Sequence, residues 1–142
     1  MKTTASLLLV IFLVMPILAV AQEAGDNPET DTNNQCIVWS SGDREVALKL
    51  VYMYVYNAKK RGWMDRVMLL VWGPSAKLLS VDEELQGKLA ELEEVGVELV
   101  ACKACADLYG VSDKLEELGI EVKYAGKLLA DMQKDGWHVL TF

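Results

Sequence analysis

Two cysteines separated by two residues, Cys102 and Cys105, have the most distinctive chemistry in this chain. They follow a short apolar run, residues 97–101, which is typical of a buried strand, and they precede a helical pattern. A thiol at the carboxyl end of such a strand lies where open α/β sheets bind their ligands, and the positive end of the next helix favours the thiolate. The spacing predicts a nucleophilic, solvent-facing Cys102, whose pKa Lys103 also lowers, with Cys105 as the resolving thiol.

Metal binding is an alternative use of the same pair. A zinc site usually takes four ligands. The chain has one histidine, His138, which falls in the last predicted strand, and Cys36 falls near the start of the first. We therefore expect no metal at the pair, and the absence of a glycine-rich dinucleotide motif leads us to expect no cofactor. In a further alternative, the cysteines are two small apolar side chains without chemistry.

Five strand-like runs alternate with helical patterns along the chain. Several of the runs are apolar at consecutive positions, which is typical of strands covered on both faces. The runs are residues 36–40, 66–72, 97–101, 120–124 and 137–142. Alternation of this kind predicts an α/β protein, with a three-layer α/β/α arrangement and a mostly parallel sheet of about five strands.

A parallel sheet of this kind gathers the loops that follow its strands at one edge. We expect those loops to form a pocket that offers small hydroxyls, backbone amides, an aromatic ring and the thiols. The predicted pocket residues are Ser40, Ser41, Gly42, Asp43, Trp72, Gly73, Pro74, Ser75, Lys103 and Tyr124.

The first helix is predicted over residues 43–60. Its polar stripe is narrow and contains two tyrosines. The stripe consists of Glu45, Lys49, Tyr52, Tyr56 and Lys60. Two interpretations stay open: the helix packs on the sheet with its tyrosines at the rim, or a second subunit buries this surface as well.

The N-terminal residues resemble an export signal. Lys2 is followed by an apolar stretch, and Ala19, Val20 and Ala21 match the small-x-small pattern of signal peptidase sites. We predict a signal peptide over residues 1–21, a flexible polar leader over 22–35 and a domain over 36–142. The mature protein would be periplasmic or secreted, without a stable membrane span. The alternative is an uncleaved anchor helix.

The net charge limits which partners are expected, and the number of cysteines limits which disulfides are. The formal net charge is −7, and removal of the first 21 residues takes away one lysine and no acidic residue, which leaves −8. An acidic protein is a poor partner for nucleic acid or anionic lipid. Three cysteines in an exported protein predict either one disulfide and one free thiol or three free thiols. Cys36 and Cys102 are expected about 15 Å apart, too far to pair.

Four segments of the chain resemble a known family. They are WSSGD at residues 39–43, WGPSAKLL at 72–79, VACKACADLYGV at 100–111 and GWHVLTF at 136–142. These segments are similar to the DsrE/DsrF-like family of small sulfur-relay α/β proteins. The resemblance covers residues 36–142 and implies a three-layer α/β/α domain that assembles as a homo-oligomer, commonly a trimer or hexamer.

The resemblance also implies a role for one cysteine. Sulfur-carrying members have a cysteine at a strand end and a glycine eight residues later, the spacing of Cys102 and Gly110. It implies that Cys102 holds sulfane sulfur as a persulfide, as a sulfur carrier or sulfurtransferase, and passes it to a thiol-bearing protein partner. The family's known relays act in the cytoplasm, whereas this chain carries an export signal. The alternatives are a thiol–disulfide module that uses Cys102 and Cys105, or a non-catalytic oligomeric binding domain.

Overall fold

A computed structural model describes residues 33–142. The predicted signal peptide (1–21) and most of the predicted leader (22–35) lie outside the described residues. The first strand begins at Asn34, two residues before the expected start of the domain. Gln35 is buried, and its side-chain oxygen accepts a hydrogen bond of 2.8 Å from the Tyr54 hydroxyl. The domain therefore includes residues whose polar character resembles the leader.

The strands form one parallel sheet in the order β4-β3-β2-β1-β5. The strands are β1 (Asn34–Trp39), β2 (Arg66–Val71), β3 (Glu98–Cys102), β4 (Glu121–Lys123) and β5 (His138–Thr141). In register, Cys36 pairs with Met68 of β2 and with Val139 of β5. The predicted α/β class and the five-stranded parallel sheet are confirmed.

The connections cover the two faces of the sheet unequally. The helical segments are α1 (Arg44–Val46), a π-helical segment (Ala47–Val51), α2 (Tyr52–Lys60), α3 (Pro74–Val81), α4 (Glu83–Gly87), α5 (Leu89–Glu94), α6 (Lys103–Tyr109), α7 (Ser112–Glu117) and α8 (Ala125–Lys134). Three crossovers step in one direction from β1 to β4, and the last returns past them to β5. Because parallel crossovers are right-handed, the first three place their helices on one face and α8 lies alone on the other.

Each face has its own core. The helix-rich face, which α1 to α7 cover, buries Trp39, Leu69 and Leu79, together with apolar side chains of its helices. The α8 face has a smaller core that contains Cys36 and Cys102, with Cys105 packed against it. All three cysteines therefore belong to the face that one helix covers.

The first helix differs from a regular α-helix at its centre. Ala47–Val51 is π-helical, and the Tyr52 backbone N–H donates to the carbonyl of Ala47, five residues earlier. A π turn takes more residues than an α turn, so later side chains are rotated away from the positions of a 3.6-residue wheel. Tyr52, predicted in the polar stripe, is accordingly buried, and its hydroxyl donates to the Leu85 carbonyl at 3.2 Å. That part of the stripe was wrong.

The second crossover consists of three short helices. The first is α3, and Lys88 separates α4 from α5. Gly73, with φ of 68°, and Pro74 at the first helical position start α3. Asp82 is extended and accepts a 3.0 Å hydrogen bond from the Leu85 N–H, which starts α4. Within residues 33–142, no helix combines the length and apolar character needed to cross a membrane.

Candidate functional site

Three loops approach one another at the carboxyl edge of the sheet. A Cβ built on Gly42, after β1, would lie 3.2 Å from the Cβ of Pro74, after β2. Gly73, also after β2, lies close enough to Cys105, which follows β3, for its backbone N–H to lower the pKa of that thiol. The strand order places β1, β2 and β3 side by side, so the expected gathering of these loops occurs.

Cys102 occupies the predicted position but not the predicted environment. It is the last residue of β3 and the N-cap of α6. Its residue is only 4% exposed, so the expectation of a thiol that faces open solvent was wrong. Side chains alternate along a strand, and Cys102 shares the α8 face with Val100, where it joins the smaller core.

Cys105 is the more accessible thiol of the pair. It is the third residue of α6, it is half-buried, and it packs against the core that contains Cys102. Burial raises the pKa of Cys105 and the hydrogen bond to Cys102 raises it further, while the Gly73 N–H opposes both. The structure therefore brings the two predicted thiols together and makes Cys105 the one nearer to water.

Lys103 lies next to Cys102 in sequence, but its ammonium is paired with a carboxylate. Its ammonium donates to both carboxylate oxygens of Asp107 at 2.8 Å, and this hydrogen bond raises the pKa of Lys103. Asp107 also accepts a 2.6 Å hydrogen bond from the Ser112 hydroxyl, and the two donors hold its pKa below the usual range. Sequence reasoning missed Asp107, although its i,i+4 spacing from Lys103 on a helix was a usable signal.

The serines after β1 use their donors within the fold. The Ser40 N–H, the Ser41 N–H and the Ser40 hydroxyl all donate to the Phe142 carbonyl, at 2.7, 3.1 and 2.9 Å. The Ser41 hydroxyl accepts from the Asp43 N–H at 3.1 Å, and Asp43 caps α1 through the N–H of Glu45 at 2.7 Å. These three residues hold the edge of the sheet together, and their expected role as ligand donors is not what their hydrogen bonds show.

Ser75 is also structural. It is fully buried; its hydroxyl donates to the Trp39 carbonyl and accepts a 3.0 Å hydrogen bond from the Trp72 N–H, so it joins the ends of β1 and β2. Ser75 therefore does not line a pocket as predicted. Trp72 packs against the cysteine-containing core, whereas Tyr124, the N-cap of α8, is 69% exposed.

Cys36, the third cysteine, lies apart from the pair. It is fully buried near the start of β1, and burial raises its pKa to about 12. All three cysteines are free thiols in the structure. In the part of the chain from residue 33 onward, no cluster of three or more histidine, cysteine or acidic side chains could hold a metal ion.

Two clefts lie on the first helix and a third lies at the end of α6, and no cysteine lines any of the three. One of about 270 Å³ separates α2 from α5 and is lined by Tyr52, Tyr56 and Lys88 among others. Another, of about 420 Å³, is an apolar groove on the outer side of α2. The chemical capacity of the carboxyl edge therefore rests on the two neighbouring thiols, which can hold a persulfide or form a disulfide.

The comparisons with known proteins agree with this architecture. A family model described as the DsrE/DsrF-like family matches residues 44–142. The chain belongs to this family. The match runs from α1 through β5 and includes both thiols of the pair. The resemblance stated from the sequence motifs is thereby confirmed.

Solved structures share the fold of this DsrE-like protein. A conserved protein of unknown function from Bacteroides thetaiotaomicron is 28% identical, with a TM-score of 0.74 over 80% of this chain and 98% of its own. A protein of unknown function from Methanobacterium thermoautotrophicum is 22% identical, with a TM-score of 0.63 over 77% of this chain and 99% of its own. The ychN protein from E. coli is 18% identical, with a TM-score of 0.57 over the same shares. No curated protein matches the chain.

Proposed function

We propose that this DsrE-like protein is an exported sulfur carrier that holds sulfane sulfur as a persulfide on Cys102 and passes it to a thiol-bearing protein. The observation that supports this most is the pair itself: two free thiols, one at the end of β3 and one in the first turn of α6, that pack together at the carboxyl edge of a parallel sheet. Family membership supports the same chemistry at Cys102, because this residue and Gly110 stand at the spacing of the sulfur-carrying members.

The burial of Cys102 suits a carrier. A persulfide in open water is exposed to oxidants and to other thiols, whereas a sulfur that is 4% exposed is shielded from both. Cys105 is the half-buried neighbour through which Cys102 meets the surface. In this proposal a small sulfane-sulfur donor reaches Cys102 when the Cys105 side chain changes rotamer, which is a nanosecond-scale motion for an accessible side chain.

Intact mass spectrometry after treatment with inorganic polysulfide tests the persulfide. Reduced wild type and the Cys105→Ala variant should each gain one sulfur atom, while Cys102→Ser should not. Cys36→Ser is the matched control, because that thiol is fully buried near the start of β1 whereas Cys102 ends β3, and it should behave as wild type. A sulfur gain by Cys102→Ser equal to that of wild type, or no gain by any form, would contradict the proposal.

The second candidate function is a thiol–disulfide module. The packing of Cys105 against the core that contains Cys102 favours it, since a disulfide needs the two side chains in proximity. Treatment with a mild oxidant should then remove two hydrogen atoms from wild type and none from either single variant. Full oxidation of the wild-type pair, together with no sulfur gain by Cys105→Ala from polysulfide, would select this function over the carrier.

Export is the second part of the proposal, and it rests on the signal-like residues 1–21. The purified protein from an extracytoplasmic fraction should begin at Gln22, which N-terminal sequencing determines. Recovery of the chain in the cytoplasmic fraction with residues 1–21 intact would contradict export.

Self-association is the third part. The groove on α2 is lined by Leu50, Met53, Tyr54, Asn57, Arg61 and Trp63. Met53 and Trp63 are more than half exposed. The Tyr54 ring lies 6.4 Å from that of Phe142, so the groove continues to the β5 side, where the sheet of residues 33–142 ends. An apolar groove beside an edge strand suits a second copy of this chain, in a trimer or hexamer.

Sedimentation measures this association. Wild type should be oligomeric at micromolar concentration, and Met53→Asp should shift it toward monomer because it places a charge in the interface. Glu117→Gln, on the exposed face of α7, is the control and should leave the assembly unchanged. A monomeric wild type would contradict the assembly, and an unchanged Met53→Asp variant would contradict this interface.

A further inference from the structure

The two thiols of the pair differ in exposure and in their place on the helix. Cys102 is the N-cap of α6 and is buried, whereas Cys105 is the third helical residue and is half-buried. Cys105 packs against the same core, on the α8 face, that contains Cys102. The two thiols are close enough for Cys102 to contribute to the raised pKa of Cys105.

This proximity has a consequence for any sulfur that Cys102 holds. A persulfide has an inner sulfur, the Cys102 Sγ, and an outer sulfur, and a neighbouring thiolate can attack either one. Attack on the outer sulfur only moves the persulfide. Attack on the inner sulfur joins the two cysteines and expels the outer sulfur, and the Cys105 sulfur lies beside the Cys102 Sγ.

We propose that Cys105 discharges the carrier: its thiolate attacks the Cys102 Sγ of the persulfide and releases hydrosulfide. The step rests on the proposed persulfide function. The Sγ–Sγ bond forms and the bond between the Cys102 Sγ and the outer sulfur breaks, with its electron pair leaving on hydrosulfide. Because the persulfide is an anion at neutral pH, the proton that Cys105 loses ends on the expelled sulfur, which leaves as hydrosulfide. The sulfane sulfur is reduced by two electrons, and the two cysteines are oxidised by two electrons to a disulfide.

Two features of Cys105 determine the rate of this step. Its proton must leave before it attacks, and burial together with the Cys102 hydrogen bond holds its pKa above the usual value, so the thiolate is scarce at neutral pH. The Gly73 N–H that contacts its sulfur supports the thiolate once it forms. The loaded protein therefore keeps its sulfur long enough to meet an acceptor and discharges once per chain without one. A thiol reductant is needed to reopen the disulfide.

The test follows sulfide release from protein loaded with inorganic polysulfide, freed of excess reagent and kept without oxygen. Wild type should release one sulfide per bound sulfur and end with two hydrogen atoms fewer than the reduced chain. Cys105→Ser and Cys105→Ala should load but release sulfide at least tenfold more slowly. Cys36→Ser should release it at the wild-type rate.

The outcomes separate this inference from the function on which it rests. If wild type loads and keeps its sulfur without forming the disulfide, or if the Cys105 variants discharge at the wild-type rate, the discharge step is overturned and the carrier function stands. If no form loads, both fall. The reverse reaction is a second measurement: hydrosulfide added to the oxidised wild type should open the disulfide and leave one extra sulfur on the chain, and no mass gain there would overturn the step.

Discussion

The two faces of the sheet differ in what covers them and in what they contain. Seven helices and a π-helical segment pack on one face, over a core of fully buried aliphatic and aromatic side chains without a cysteine. One helix, α8, covers the other face, and the smaller core there holds Cys36 and Cys102, with Cys105 at its margin. The helix-rich face has the larger share of buried apolar surface, which stabilises the fold. The α8 face has the cysteines.

This contrast separates stability from reactivity within a single sheet. A core that dominates folding tolerates little change of volume, whereas a thinly covered margin leaves a thiol room to move and react. The same strand, β3, contributes to both faces through alternate residues: Ala101 belongs to the helix-rich core and Cys102 to the α8 core. Cys102 is therefore held in place by a strand whose opposite face packs in the larger core.

The largest effect should come from a cavity in the helix-rich core. Leu79→Ala removes a fully buried side chain from α3 and should lower the free energy of unfolding by about 3 kcal/mol. Leu128→Ala is the matched change on α8, where the side chain is only partly buried, and should cost about 1 kcal/mol. Urea denaturation measures both. A greater loss for Leu128→Ala would reverse the comparison of the two faces.

A smaller loss is expected at the serine that joins β1 to β2. Ser75→Ala removes the hydroxyl that bonds to the Trp39 carbonyl and the Trp72 N–H. These two backbone groups stay bonded to each other at 2.9 Å, so the change should cost about 1 kcal/mol. Ser80→Ala, on the same helix, removes an exposed hydrogen bond to the Lys77 carbonyl and should change stability by less than about 0.5 kcal/mol. Equal denaturation midpoints for the two variants would show that the Ser75 hydroxyl does not stabilise the sheet edge.

The pH dependence of thiol alkylation gives a third test of the comparison between the two faces. Only the thiolate is alkylated, and the pKa of Cys105 is raised, so its alkylation by iodoacetamide should be slower at pH 7 than that of an ordinary exposed cysteine. The rate should continue to rise above about pH 8.5, where an ordinary thiol levels off. Cys36, whose burial raises its pKa to about 12, should react only after denaturation. Peptide mapping that shows Cys36 labelled first would contradict the burial order.

The smallest effect is expected at Lys103. Its ammonium is paired with Asp107 on the surface of α6, so Lys103→Gln should change the Cys105 alkylation rate less than about twofold. Alkylation kinetics at low ionic strength measure this rate. A tenfold fall would show that the Lys103 charge acts on the thiol pair in spite of its contact with Asp107.

Much of this architecture follows from local patterns. Apolar runs without alternation predicted both ends of each strand to within two residues. The strand–helix alternation predicted a parallel sheet. Position and spacing alone placed Cys102 at a strand end with Cys105 on the next helix. The π-helical segment was not predictable from these patterns, because it changes the phase of the helix without a distinct residue signature, and so the burial of Tyr52 was missed.

Local sequence therefore determined which residues form β3 and α6, and hence that two thiols stand at the junction between them. Only the tertiary structure decided how exposed those thiols are. A strand directs alternate side chains to opposite faces, and which segment covers each face depends on the direction of crossovers that join distant parts of the chain. Because the last crossover runs back toward β1, α8 covers the face of Cys102, and the thiol expected in water lies beneath the surface with Cys105 beside it.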